Sequence, residues 1–196
     1  MLKFGVDMIP LNTETNLTNM ALAPAEVYQA LVPTLELYLH DIDTYTEEQF
    51  YRKPSEMQWS LGQMYEHVTA TALYFFMKRA AYANEHRNGQ VGGAKNEYGE
   101  KQFKYNSFPP IKIKIPDVLS GPEPIAKLQQ EYKAILLKIK EEALLLSQKI
   151  ADDAGEYKVL QPAFGWLTAH EWFQLMEQHF RHHLRQKQEL EAWLQL

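Results

Sequence analysis

Three of the seven histidines of this chain lie within five residues, in the stretch EQHFRHHLRQ at 177–186. His179 and His183 are four positions apart, which is about one turn of an α-helix. Two imidazoles at this spacing lie on the same side of a helix, where both can reach one divalent metal ion. The stretch therefore has two interpretations, a metal site or a polar edge on a surface helix.

The direction of each ring depends on the last predicted helix, which begins at a capping box headed by Thr168 and continues to the C-terminus. Helical residues advance by about 100° each, so with Trp172 at zero His179 falls near −20° and His183 near +20°. His182 falls near −80°, at the edge of the apolar stripe. The first two rings thus occupy the centre of the stripe, where leucine would be expected.

Buried imidazoles need partners, because an unpaired buried polar ring is costly and two adjacent protonated rings repel each other. A divalent metal ion meets both requirements, since it binds the neutral form of histidine. The alternative is that each ring forms a hydrogen bond with a carbonyl or carboxylate, or that this edge of the helix is hydrated. The isolated H-x-x-x-H pattern does not decide between these interpretations.

A third histidine, His67, lies on the flank of another predicted helix, seven residues after its capping residue Ser60. Alone, such a histidine is more often a hydrogen-bonded core residue than a ligand. On a facing helix it would complete a set of three imidazoles with a vacant coordination position, which is typical of a reactive metal site. Gln186 falls near −40° on the same stripe as His179 and His183. It could support a ligand or contact the cofactor, or be only a polar residue near the helix end.

Four segments with helical periodicity would position these residues: about 24–43, 61–87, 123–152 and 168 to the C-terminus. The connection at 88–122 is rich in glycine and proline and has no helical period, so we predict a long crossover loop or arm between the second and third helices. Its run IKIKI at 111–115 alternates as a short exposed strand would. The pattern predicts an all-α four-helix bundle in a single domain, residues 1–196, with an N-terminal extension at 1–23.

Composition excludes several classes of protein. The chain has no cysteine, so disulfides, thiolate metal ligands and a cysteine nucleophile are excluded. A net charge of −5 gives no electrostatic reason to bind nucleic acid. The start of the chain lacks the apolar region of a signal peptide, and no apolar run approaches the roughly 18 residues that cross a bilayer. We predict a soluble cytoplasmic protein that acts on a small molecule, without a nucleic-acid or membrane partner.

Two stretches resemble the DinB-like superfamily, which includes bacillithiol and mycothiol S-transferase relatives. They are WSLGQMYEHV at 59–68, which contains His67, and PAFGWLTAHEWFQLMEQHFRHHLRQ at 162–186, which ends in the H-x-x-x-H-x-x-Q of His179, His183 and Gln186. The resemblance implies a four-helix bundle, commonly dimeric, that holds a divalent ion, zinc or nickel, on His67, His179 and His183. For characterised relatives it implies a metal that binds a low-molecular-weight thiol as a thiolate and makes it a nucleophile.

Two hypotheses for function follow. The first is a metal-dependent enzyme that transfers a low-molecular-weight thiol to a small electrophile, or catalyses a hydrolysis, with a thiol or water at the open coordination position. The second is a non-catalytic bundle that binds a metal or small ligand in a stress-linked or regulatory role. The sequence identifies no catalytic residue. The first 20 residues and the segment at 88–122 fall outside the motif pattern, and they are where the identity of the substrate would be encoded.

Overall fold

The structure is a computed structural model that describes residues 21–108 and 122–196. This part of the chain is mostly helical, with a small three-stranded sheet. The helices are α1 (Pro24–Asp41), α2 (Glu47–Tyr51), α3 (Leu61–Thr71), α4 (Met77–Asn84), α5 (Glu97–Tyr105), α6 (Gln129–Lys149) and α7 (Ala169–Leu194). The strands are β1 (Gln90–Val91), β2 (Tyr157–Gln161) and β3 (Gly165–Leu167). Within these two ranges, no helix combines the length and the apolar character needed to span a bilayer.

The helices that carry the three histidines begin at the predicted capping boxes. Ser60 Oγ accepts a hydrogen bond from the backbone N–H of Gln63 at 3.2 Å, and the Gln63 side chain accepts one from the Ser60 N–H at 3.0 Å. Thr168 and Glu171 form the equivalent pair at the start of α7. These reciprocal bonds satisfy N–H groups that a helix start would otherwise leave unpaired, so they determine where α3 and α7 begin.

A π-helical turn interrupts the second predicted helix. α3 continues through this turn, Ala72–Phe76, into α4, and the helix predicted at 61–87 ends at Asn84. His86 and Asn88 then have φ values of 53° and 56°, which are incompatible with a continuing right-handed helix. π-Helical turns are frequent at functional sites, and this one begins about one turn after His67.

The third predicted helix begins later than the sequence indicated. α6 starts at Gln129, so Ile125, which falls within the predicted helix at 123–152, lies outside the observed helix and is 85% exposed. Helical backbone is disfavoured for a residue that precedes a proline, and Glu123 precedes Pro124. The carbonyl of Pro124 also accepts a hydrogen bond from Gln63 Nε2 at 3.0 Å. The proline and its tertiary contact with Gln63 are therefore consistent with a helix that begins only after this segment.

The segment at 88–122 contains regular structure that its sequence did not reveal. β1 and α5 lie in its first part. The buried residues of α5 are Gly99, Gln102 and Phe103, and because two of them are not apolar the segment shows no apolar period. Residues 109–121, including the run IKIKI, lie outside the described residues, and the exposed strand stays a prediction.

The stretch at 154–166, which lies between the third and fourth predicted helices, contains most of a β-hairpin. β2 and β3 pair antiparallel with Val159 opposite Leu167, and β1 pairs with β2. Gly165 has a φ of +89°, and a Cβ there would lie 2.7 Å from the carbonyl oxygen of Ala94. The hairpin leads directly into α7, and Trp172 Nε1 donates a hydrogen bond to the Val159 carbonyl at 3.2 Å. Strands of two, five and three residues are too short for alternation to be recognised.

α7 is the helix around which the others pack. α1, α3 and α4 contact it, and α1 and α3 also pack against α6. The core between them is aromatic: Tyr65 OH donates to the Tyr38 carbonyl at 3.0 Å, and Tyr38 OH donates to the Phe180 carbonyl at 3.2 Å. Each buried hydroxyl thus has an acceptor, as buried tyrosines require. Because Tyr65 and Phe180 are sequence neighbours of His67 and His179, the same packing positions the histidines.

Candidate metal centre

His67 from α3 and His179 and His183 from α7 come together between the two helices. Their candidate ligand nitrogens all lie within 4.8 Å of one another. The ring centroids are 4.9 Å apart for His67 and His179, 4.8 Å for His67 and His183, and 4.5 Å for His179 and His183. The structure therefore brings the three predicted ligands to one point.

The chemistry of this cluster fits a cation. Two imidazole nitrogens bound to one tetrahedral zinc ion lie about 3.3 Å apart, and the Nε2 atoms of His67 and His179 are 3.0 Å apart. Nδ1 of His179 is buried and finds no hydrogen-bond partner among residues 21–108 and 122–196. A buried polar atom without a partner costs about 1–3 kcal/mol. At 3.0 Å the two Nε2 atoms either share one proton or coordinate one divalent ion, and the second arrangement needs no proton between them.

Gln186 lies beside a ligand rather than in the middle of the cluster. Its Oε1 is 2.8 Å from Nδ1 of His183. With the amide oxygen as acceptor, Nδ1 carries the proton and Nε2 keeps the lone pair that a metal needs. Metal-binding histidines usually donate their second nitrogen to such an acceptor, which sets both tautomer and ring orientation. The residue predicted to contact the cofactor is thus placed where it can orient His183.

The surroundings keep the three rings in the form that binds metal. Burial lowers the pKa of His67 to about 4. Burial, and then the proximity of His67, lower the pKa of His183 to about 3, although the bond to Gln186 acts in the opposite direction. Burial, His183 and His67 also hold the pKa of His179 well below its ordinary value. All three imidazoles are therefore neutral near pH 7, with lone pairs available to a metal ion.

Aromatic rings enclose the cluster on several sides. Trp59 packs against His67 with ring centroids 5.0 Å apart, and Phe76, from the π-helical turn, packs against His179 at 5.2 Å. Phe108 lies 6.3 Å from the ring of His179. An apolar shell of this kind controls how far water reaches a metal and its open position.

A buried amide network holds the segment before Phe108 against α7. Asn106 Oδ1 accepts hydrogen bonds from Gln174 Nε2 at 2.9 Å and Gln178 Nε2 at 2.8 Å. Gln178 Oε1 accepts another from Gln102 Nε2 at 2.6 Å. The network has one local signal in the sequence, which is that two glutamines stand one helical turn apart on α7. The network fixes the position of one wall of the site.

His182 does not join the cluster. Its half-buried ring lies 5.4 Å from that of His183, on the side of a surface pocket of about 470 Å³. The pocket is lined by residues that include Trp59, His182, His183, Gln186 and Trp193. It opens beside one candidate ligand, so a small molecule that enters it reaches the edge of the histidine cluster.

A family model described as the DinB superfamily matches residues 30–186, well over half of the chain. The chain belongs to the DinB superfamily. The match contains all three histidines of the cluster and ends at Gln186, so the DinB resemblance carried by the two motifs is confirmed. No curated protein matches this DinB-superfamily chain.

Proposed function

We propose that this DinB-superfamily protein is a metal-dependent enzyme in which His67, His179 and His183 hold one divalent ion, zinc or nickel. The observation that carries the proposal is the meeting of three neutral imidazoles from two helices within 4.8 Å. Three protein ligands leave a fourth position for a substrate or water, as in catalytic rather than structural zinc sites. The pocket supports this interpretation, because His183 lines it and a small molecule bound there would lie beside a proposed metal ligand.

The proposed framework is a single-domain four-helix bundle made of α1, α3 together with α4, α6 and α7. In support of this arrangement, α1 and α3 each pack against both α6 and α7, as expected where four helices enclose one core. The long connection from α4 to α6 would be the crossover of that bundle. Ligands from two facing helices then meet in its interior, which is the usual location of metal sites in bundles.

The proposed reaction is the transfer of a low-molecular-weight thiol to a small electrophile. When bound, a divalent ion supplies a positive charge that lowers the pKa of a coordinating thiol or water. The three imidazoles contribute no negative charge, so the site favours an anionic group at its open position. The chain has no cysteine, and the reacting sulfur must therefore come from the small thiol. The thiol gives up its proton to solvent, and its sulfur forms a bond to the electrophilic carbon. The bond from that carbon to the leaving group breaks, and the leaving group departs with the electron pair.

The residues around the cluster would serve this reaction in distinct ways. Gln186 would hold His183 in the tautomer that presents Nε2. Trp59 and Phe76 would limit the access of water to the ligand face. A dry site strengthens the electrostatic interactions that stabilise a thiolate.

The family resemblance extends the proposal to a cytoplasmic homodimer. Leu137 and Leu144, two turns apart on α6, are exposed, as is Leu37 on the neighbouring α1. Exposed apolar side chains of this kind are ones that a second copy of the chain could cover.

A thiol-conjugation assay tests the proposed function. Untagged protein loaded with zinc or nickel is incubated with bacillithiol, mycothiol or L-cysteine and with 1-chloro-2,4-dinitrobenzene as the electrophile. We expect thioether formation above the uncatalysed rate that requires the metal and falls to background in the His183→Ala variant. Stoichiometric metal with no conjugation of any of these thiols would contradict the transferase proposal and favour a non-catalytic binding role.

Replacement of Gln186 by leucine should weaken metal binding by about 10- to 100-fold, the usual effect of losing a partner of a metal-bound histidine. Leucine fills a similar volume but cannot accept the proton of His183 Nδ1. Competition with a chromophoric chelator measures the affinity. Gln188→Leu is the matched control, because Gln188 is exposed on the same helix. Equal affinities for the two variants would show that Gln186 does not support the ligand.

A further inference from the structure

We propose that the pocket beside His183 binds the electrophilic substrate and selects molecules with a flat apolar body and one anionic group. This inference rests on the proposed function, since it names the class of substrate for the same site. The pocket volume of about 470 Å³ lies within the range of roughly 300–1,000 Å³ that is usual for small-molecule sites.

The walls of the pocket favour a flat apolar ligand. Trp59 and Trp193 both line it, together with Met57, Pro54 and Leu190. Met57 is 93% exposed and Trp193 39% exposed, so apolar surface remains available to a ligand. Tryptophan rings provide large, rigid contact surfaces for other flat groups, and methionine adapts its shape to them.

The charges around Trp193 favour an anionic group. Arg185 lines the pocket, and the guanidinium carbon of Arg52 lies 5.0 Å from the centre of the Trp193 ring. Glu189 is the one carboxylate among the lining residues that the structure describes. Among the lining residues the charges of Arg185 and Glu189 balance, and Arg52 adds one positive charge beside the Trp193 ring.

Arg185 can leave its ion pair with Glu189 and bind an anionic ligand at little energetic cost. Its Nε lies 3.6 Å from Glu189 Oε1, and both side chains are well exposed to solvent. Exposed pairs of this kind contribute about 0–1 kcal/mol at most, so Arg185 can turn to a carboxylate or sulfonate at little cost. Its planar guanidinium can bind such a group through two parallel hydrogen bonds.

The position of the pocket connects this selectivity to the metal centre. His183 and Gln186 form part of its wall, and Trp59 packs against His67. A ligand that fills the pocket therefore contacts one proposed metal ligand and the ring that packs on another. This placement brings the electrophile close to a thiolate at the open position.

Two probes with the same ring test the inference: naphthalene-1-sulfonate and the neutral 1-naphthalenemethanol. Their binding to the full chain is followed by quenching of tryptophan fluorescence and by calorimetry. We expect the sulfonate to bind about tenfold more tightly or better, which corresponds to one charge-assisted contact. Arg185→Gln should remove this preference and leave the affinity for the alcohol unchanged, whereas Trp193→Leu should weaken the binding of both probes.

Control variants and metal-free protein separate the effect of Arg185 on probe affinity from a general effect of surface charge and from metal binding. Arg87→Gln, which removes an exposed arginine paired with Glu85 and absent from the pocket lining, should change neither affinity. Arg185→Lys, which keeps the charge, should retain part of the preference and replaces Arg185→Gln if that variant does not fold. Each titration is made with zinc-loaded and metal-free protein, so a failure to bind metal does not affect the test of the pocket. Equal affinities for the two probes, or a preference for the sulfonate that is unchanged by Arg185→Gln, would overturn the inference.

Discussion

Alanine in place of His183 should leave the purified protein without its stoichiometric metal ion, whereas alanine in place of His182 should leave the ion bound. His183 supplies one of three nitrogens that meet within 4.8 Å, and two imidazoles alone hold a divalent ion much more weakly. The affinity should fall by more than the roughly 100-fold expected for the loss of an outer partner. Elemental analysis of untagged, dialysed protein measures the metal content.

The His182→Ala variant is a stringent control, because it removes an imidazole from the adjacent position of the same helix. Its ring lies only 5.4 Å from that of His183 but outside the cluster. If His183→Ala keeps one ion per chain, the cluster is a set of hydrogen-bonded core histidines and the proposed metal centre is wrong. Loss of the ion from both variants would mean that metal binding does not depend on the geometry described above.

Replacing Lys187 by methionine should lower the free energy of unfolding by about 3–5 kcal/mol, because it leaves charged partners without compensation. Lys187 is 2% exposed, and its ammonium group contacts Asp41 from α1 and, at 2.7 Å, Glu191. Tyr45 OH donates a further hydrogen bond to Glu191 at 2.6 Å. Methionine fits the volume but brings two carboxylates together without a cation. Urea denaturation followed by circular dichroism measures the change.

Lys140→Met provides the matched control for this substitution. Lys140 pairs with Glu36 at 2.8 Å between α6 and α1, and this pair is much more exposed than the Lys187 network, with side-chain exposures of 32% and 58%. An exposed pair should contribute less than about 1 kcal/mol. A similar small decrease in the free energy of unfolding for both variants would show that the buried network does not stabilise the contact between α1 and α7. Lys187, at the centre of this network, directly follows Gln186.

The helices that carry the site were predictable because the signals are local. The capping boxes at Ser60 and Thr168 involve residues three positions apart, and both form as expected. The direction of His179 and His183 follows from the rotation of about 100° per residue in any α-helix. The contact of Gln186 with His183 is also local, since it joins residues three positions apart on one helix.

The elements that were missed are those whose residues are selected by distant partners. In α5, Gly99 is required because a Cβ there would lie 2.3 Å from the Phe164 carbonyl oxygen, and Gln102 is buried through its bond to Gln178. Neither residue adds to an apolar period, so the helix has no recognisable pattern. The late start of α6 has a similar origin, because Gln63 binds the carbonyl of Pro124.

The sequence by itself determined that His179 and His183 share the inner face of the last helix, since helical geometry relates any two residues one turn apart. It placed His67 on the flank of another predicted helix, seven residues after Ser60, and left open whether that helix faces the last one. Whether His67 meets the pair depends on how far α3 and α7 are shifted along each other, and no local interaction sets that shift. The tertiary structure decides it through the packing of Tyr38, Tyr65 and Phe180, which brings two nitrogens 112 positions apart in the chain to within 3.0 Å.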